Sequence, residues 1–190
     1  MTSRNNITRL IRLLILFVLA FAFISQHNRS LAAQLHLSWS DNSDNEEGFE
    51  IERSTSATDF VHIAIVGANV SSFVDSSLAT GETYCYRVRA FDAAIFSHFS
   101  NIGCATTPVA VMVSLFGSGM GTVVSNPAGI DCGNDCIEQY PRGTIVTLIP
   151  NPAEGSAFAG WNGGCAGTAI CMFNADTDVS ITALFDNLNP

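Results

Sequence analysis

Lysine is absent from this 190-residue chain, and no acidic residue stands before position 34. Arg4, Arg9, Arg12 and Arg29 all fall in that acid-free start, so Arg53, Arg87, Arg89 and Arg142 are left to face all 17 acids. A surface so rich in carboxylate repels phosphate backbones and anionic headgroups, which excludes nucleic acid and anionic membrane as natural partners. Charged residues amount to only 13% against 47% hydrophobic, which excludes disorder. The length admits one ordinary domain or two small ones and excludes a large multidomain enzyme. From Gln34 onward no 11-residue stretch carries helical periodicity. Also missing are a GxSxG serine and an HExxH pair: His36, His62 and His98 are isolated, and no catalytic residue, cofactor site or metal site is expected.

The longest apolar run is also too short for one purpose. Residues 13–24 (LLILFVLAFAFI) give about 18 Å of helix, against a hydrocarbon core of roughly 30 Å. Three arginines precede the run, polar SQHNRS follows it, and Leu31-Ala32-Ala33 closes the segment. This is the layout of a Sec-type secretory signal over residues 1–33, with cleavage near Ala32 or Ala33, so the protein is expected to be secreted or held at the cell surface. An uncleaved anchor is the lesser alternative.

What remains reads as all-β. Leu35, Leu37 and Trp39 alternate with polar residues, as do Phe49 and Ile51, on either side of the acidic turn DNSDNEEG. Residues 60–66 and 72–74 continue the series, Tyr84, Tyr86, Val88 and Ala90 alternate with Cys85, Arg87 and Arg89, and a last strand runs over 102–106. Six cysteines in an exported chain favour disulfides over thiols, with fifteen formal connectivities. Proximity along the chain favours Cys85 with Cys104, Cys132 with Cys136, and Cys165 with Cys171. A zinc site from Cys132, Cys136, Cys165 and Cys171 is the alternative, disfavoured by loose spacing and an oxidising compartment.

Leu37-Ser-Trp39, DNSDNEEGFEIERS, GANVSSFVD, GETYCYRVRAFDAA and SNIGCATTP together resemble bacterial fibronectin type III domains over residues 34–108. The resemblance implies an immunoglobulin-like β-sandwich with Trp39 in the core and Tyr84 as a corner tyrosine bonded to backbone near Leu78. It also implies Cys85 and Cys104 on adjacent strands, facing the same outer side. The customary first strand is lacking, because the signal occupies its place, which would leave the 35–39 strand as an edge open to strand addition by a partner or a second copy.

After Pro108 the composition shifts. Residues 109–115 alternate as a strand, 117–121 (GSGMG) read as a turn rather than a phosphate loop, and 122–125 read as the returning partner of a hairpin. SNPAGIDCGNDC, the strand 143–149, Phe158-Ala-Gly-Trp161, the loop 165–171 and the alternation Val179, Ile181, Ala183, Phe185 resemble the divergent bacterial repeat domain related to internalin B-repeats, over residues 109–186. That implies a small all-β accessory module of exported proteins, stapled by its disulfides, with 187–190 as a tail.

Two features suggest contacts. Asp41, Asp44, Glu46 and Glu47 could offer oxygens to calcium, but they lack the ligand rhythm of a calcium loop and read as a solvated turn. Ile95, Phe96 and His98 lie where fibronectin relatives carry Gly and small polar residues, which marks a candidate binding loop, used either against the following domain or against an external protein. The expected function is a non-enzymatic binding or spacer module, working through a protein partner, adhesion or self-association. A polysaccharide-binding accessory of a secreted hydrolase is the alternative; Trp161 and Tyr140 would be its stacking aromatics, against the commoner place of such a Trp in the core.

Overall fold

The computed structural model describes residues 32–188 apart from 94. The expected signal of residues 1–33 lies outside the described residues except for its last two, of which Ala33 is buried in a strand opposite Leu78 and so belongs to the folded unit. Contacts divide the chain after Thr107 into two compact units. All regular structure among the described residues is β.

The first unit contains β1 (Ala33–Ser38), β2 (Gly48–Ser54), β3 (Val61–Gly67), β4 (Ser72–Leu78), β5 (Thr83–Asp92), β6 (Ile95–Phe96) and β7 (Gly103–Thr106). One sheet pairs β1 with β4; the other runs β3-β2-β5-β6, with β7 also on β5. Alternate residues of both sheets fill one core, in which Leu35, Leu37, Phe49, Ile51, Tyr86 and Val88 are fully buried around Trp39. The period of two seen in the sequence therefore becomes two apolar inner faces. This is the fibronectin type III arrangement, with β1 paired to β4 alone among the described residues. The two strands flanking the acidic turn lie in opposite sheets. The Tyr84 hydroxyl accepts the Ala79 N–H at 3.2 Å, which closes the corner beside Leu78.

The second unit contains β8 (Val109–Phe116), β9 (Gly121–Asn126), β10 (Asp131–Cys132), β11 (Ile137–Tyr140), β12 (Thr144–Pro152), β13 (Ser156–Gly163), β14 (Cys171–Ala175) and β15 (Val179–Asn187). Two four-stranded sheets, β10-β9-β12-β14 and β11-β8-β15-β13, enclose a core of Val109, Val111, Val123, Val146, Leu148, Ile181 and Phe185. β15 runs parallel to β8 and extends through Asn187, one residue into the expected tail.

The expected hairpin across GSGMG does not form. β8 and β9 belong to different sheets, and the turn carries the chain from one to the other. Local alternation identifies strands but not their partners, and here the glycines serve close packing instead. Gly117, at φ +113°, sits with no room for a Cβ against the Phe185 carbonyl, and Gly121 lies flat on the Phe185 ring. The crossing is possible because β15 can press on bare backbone.

Candidate interaction surface

All three expected pairs are joined: Cys85–Cys104, Cys132–Cys136 and Cys165–Cys171, and no free cysteine is present among the described residues. Cys85 and Cys104 stand directly opposite one another on β5 and β7, with Cα atoms 4.0 Å apart. Cys104 is exposed as the outer-face reading expects, but Cys85 is buried, so this bond is covered on one side.

The outer face of β2 and β5 carries the most structured side-chain group on the first unit. Arg87 stacks between the rings of Phe60 and Phe99, at 4.3 and 3.9 Å, and Arg89 between those of Phe96 and Phe99, at 4.0 and 4.5 Å. Five side chains thus form a continuous ladder, Phe60–Arg87–Phe99–Arg89–Phe96. Each guanidinium is also held edge-on by a carboxylate across the sheet. Arg87 donates to Glu52 at 2.7 Å and Arg89 donates to Glu50, whose other oxygen lies 3.2 Å from His62 Nδ1. Alternation on β5 predicts the charged face, but the aromatics arrive from outside the strand pattern, on irregular segments on either side.

Two serines bring Phe99 into place. Ser97 N–H donates to the Ala90 carbonyl while its Oγ accepts the Ala90 N–H, both at 2.9 Å. Ser100 repeats this with Val88, at 2.8 and 3.0 Å. Residues 97–102 are not a strand, yet they satisfy the edge of β5 as a strand would, and this spacing of three was not read from the sequence.

Ile95 and Phe96, expected in a loop, form the short strand β6, paired with Asp92 and Phe91 at the end of a hairpin. They remain exposed, at 49% and 46% of their surfaces, while Phe96 rests on Arg89 and 6.3 Å from the Phe91 ring centroid. His98 is exposed beside them. At the tip Ala93 takes φ +52°, a conformation costly for a residue with a Cβ, and its N–H is held at 3.2 Å by Glu47.

The acidic turn has the same office elsewhere. Glu46 accepts the N–H of Asn69, also at positive φ, at 3.1 Å, and Asp41 accepts the N–H of Ser43. Burial raises the Glu46 carboxyl, but hydrogen bonds from its own backbone, Ser43, Asn69 and Asn45 outweigh it and hold the group below its ordinary value. These carboxylates are spent on backbone donors rather than converging, and among the described residues no three His, Cys, Asp or Glu are grouped to hold a metal.

Trp161 takes the core place expected of it, and the stacking role that the alternative gave Trp161 and Tyr140 is corrected. Trp161 is only 5% exposed, packs edge-on to Phe158 at 4.8 Å, and donates from Nε1 to the Ala169 carbonyl at 2.7 Å. Tyr140 is buried too; its hydroxyl shares a 2.8 Å hydrogen bond with Ser125, and burial pushes its ionisation upward. Neither ring is presented to a sugar.

Residues 116–189 match the family model of the divergent InlB B-repeat domain. No curated protein sequence matches the chain. Among solved structures, it is similar to a β-1,2-glucanase from Parabacteroides distasonis at 21% identity and TM-score 0.36, over 39% of this chain and 10% of that one. It is similar to the pectate lyase PelI from Erwinia chrysanthemi at 21% identity and TM-score 0.35, over 45% of this chain and 29% of that one. The chicken CNTN1 FN1–FN3 domains align over 92% of this chain and 65% of theirs, at 12% identity and TM-score 0.39. The chain thus spans a tenth of the glucanase and under a third of the lyase.

Proposed function

We propose that this chain is an exported, non-enzymatic binding module that works at the cell surface or outside the cell by holding a protein partner. Three disulfides and a match to a bacterial repeat domain are consistent with an extracellular protein. The observation that carries the reading is the β6 end of the first unit. Exposed Ile95 and Phe96 stand on a hairpin braced from below by the Arg–Phe ladder and at its tip by Glu47. An apolar pair held rigid before contact loses little conformational freedom on binding, which is the property of an interface anchor.

The test is partner capture from extracellular fractions by the wild-type chain and by Ile95→Ser with Phe96→Ser. Capture is expected to be lost while melting shifts by about 1 kcal/mol or less, the share of one exposed cation–π contact. Retained capture, or a stability loss of several kcal/mol, would overturn the assignment of these residues as the contact.

A further inference from the structure

We propose that the bond cut on export is Ala32–Ala33, so that the mature chain begins on the first residue of β1. The proposal deepens the export reading above and rests on it. The sequence leaves two bonds open, one after Ala32 and one after Ala33. An export peptidase accepts small side chains at the last and third-last positions of the signal. A cut after Ala32 puts Ala32 and Ser30 there, whereas a cut after Ala33 puts Ala33 and the much larger Leu31 there. The reaction is hydrolysis: water adds its oxygen to the Ala32 carbonyl carbon, the peptide bond breaks, and the Ala33 nitrogen leaves as the new α-amine.

The fold draws the boundary at the same bond from the other side. Ala32 is exposed and belongs to no strand. Ala33 is only 3% exposed, opens β1 and stands opposite Leu78 on β4. Its methyl group joins the core that Leu35, Leu37 and Trp39 continue. The register between β1 and β4 is interrupted between Ala33 and Leu35, so Ala33 with Leu78 forms the outermost rung of this sheet. A cut after Ala33 would take away that rung and that methyl group, and an apolar group already removed from water would be lost from the core. A cut after Ala32 takes no described residue of the core. The new α-ammonium would stand where the chain now passes into water at Ala32, so no charge is buried by the cut. Peptidase preference and core packing are independent of one another, and they select the same bond.

The test is expression of residues 1–190 in a bacterial host, with the exported chain read by amino-terminal sequencing and intact mass. The expected product begins Ala33-Gln34-Leu35. Ala32→Leu changes only a residue shed with the signal, so it should lower the yield of mature chain at least about tenfold while leaving the fold of any product untouched. Ala33→Gly should be cut at the same bond. Its mature product should unfold with an equilibrium constant at least about fourfold larger, the share of one buried methyl group. A wild-type product beginning at Gln34 overturns the proposal and leaves export intact. So does an Ala32→Leu chain cut at this bond as readily as wild type, or an Ala33→Gly product as stable as wild type. A chain that reaches the membrane whole and stays there overturns the cut in favour of an anchor. One that remains whole inside the cell overturns the export reading as well.

Discussion

The Tyr86 hydroxyl donates a 2.8 Å hydrogen bond to Asp75 Oδ2 through the interior of the first unit, joining β5 of one sheet to β4 of the other. The same oxygen accepts Arg53 Nη1 from β2 at 2.8 Å. Apolar faces pack two sheets together, but they set the sliding of one over the other only loosely; a buried carboxylate shared by two donors fixes it. Asp75→Asn is expected to cost roughly 2–3 kcal/mol, less than a fully buried pair because Arg53 keeps some exposure. Trp39 and Trp161 report one unit each, so denaturation followed by fluorescence should show the loss in the Trp39 transition and leave the Trp161 transition in place.

The disulfide pairing leads to a graded expectation. Non-reducing peptide mapping should recover 85–104, 132–136 and 165–171. Loop-closure entropy assigns about 3.3 kcal/mol to the first and about 2.1 and 2.3 kcal/mol to the others. Replacing both cysteines of one pair by Ala should therefore lower stability most for Cys85 and Cys104. An equal or larger loss for Cys132 and Cys136 would show that packing of the buried Cys132, not chain entropy, dominates there.

Much of this was open to the sequence because the signals are local. Alternation at Leu35, Leu37, Tyr84 and Tyr86 identifies inner faces, and cysteines a few residues apart identify their partners. The failures share a cause. The hairpin expected across GSGMG failed because partner choice is decided by Phe185, some 65 positions away, where it presses on Gly117 and Gly121. Trp161 was legible as a core residue, with Phe158 three positions before it on the same strand, but the Ala169 carbonyl that takes its Nε1–H lies beyond that strand and was not. The exposed pair at Ile95 and Phe96 was visible as an anomaly of composition, but its support was not, since Phe60 and Phe99 reach the arginines from irregular segments.

Substituting Gly117 by Ala should destabilise the second unit by roughly 2 kcal/mol or more. The residue would take a positive φ and its Cβ would meet the Phe185 carbonyl, so β15 must shift. The loss should appear in the Trp161 transition. Gly143→Ala, at φ +87° but with open space around it, should cost only the backbone strain of about 1 kcal/mol, and the difference between the two isolates the contact.

Alkaline and acid stability should fail through different groups. Burial, then the hydrogen bond to Asp75, pushes Tyr86 ionisation up, and burial does the same for Tyr140. A raised folded value means stability present below the unfolded value near pH 10 and lost as pH rises toward the folded one. Tyrosinate absorbance should therefore show these two rings ionising only with unfolding. Glu46, held low, contributes stability above its unfolded value that is lost as pH falls through its folded one. Glu46→Gln should flatten the acid limb below about pH 4.5 without altering the alkaline limb.

The ladder makes the last prediction, because Phe99 is its one shared rung. Its ring covers a face of both Arg87 and Arg89, at 3.9 and 4.5 Å, so Phe99→Ala uncovers both guanidiniums at once. The expected cost is about 1–2 kcal/mol, two partly exposed cation–π contacts. Arg89 would keep Phe96 at 4.0 Å and Glu50, so β6 should hold its pairing while the segment after it loosens. Amide exchange should accelerate at Ser97 and Ser100, whose N–H groups donate to the Ala90 and Val88 carbonyls, and change least at Val88 and Ala90, inside the long strand β5. If exchange across 97–102 is unchanged, the two serines alone hold the segment and the stack is a passive covering. If Val88 and Ala90 also open, the ring is what keeps the serines in register with β5, and partner capture through Ile95 and Phe96 should fall with it.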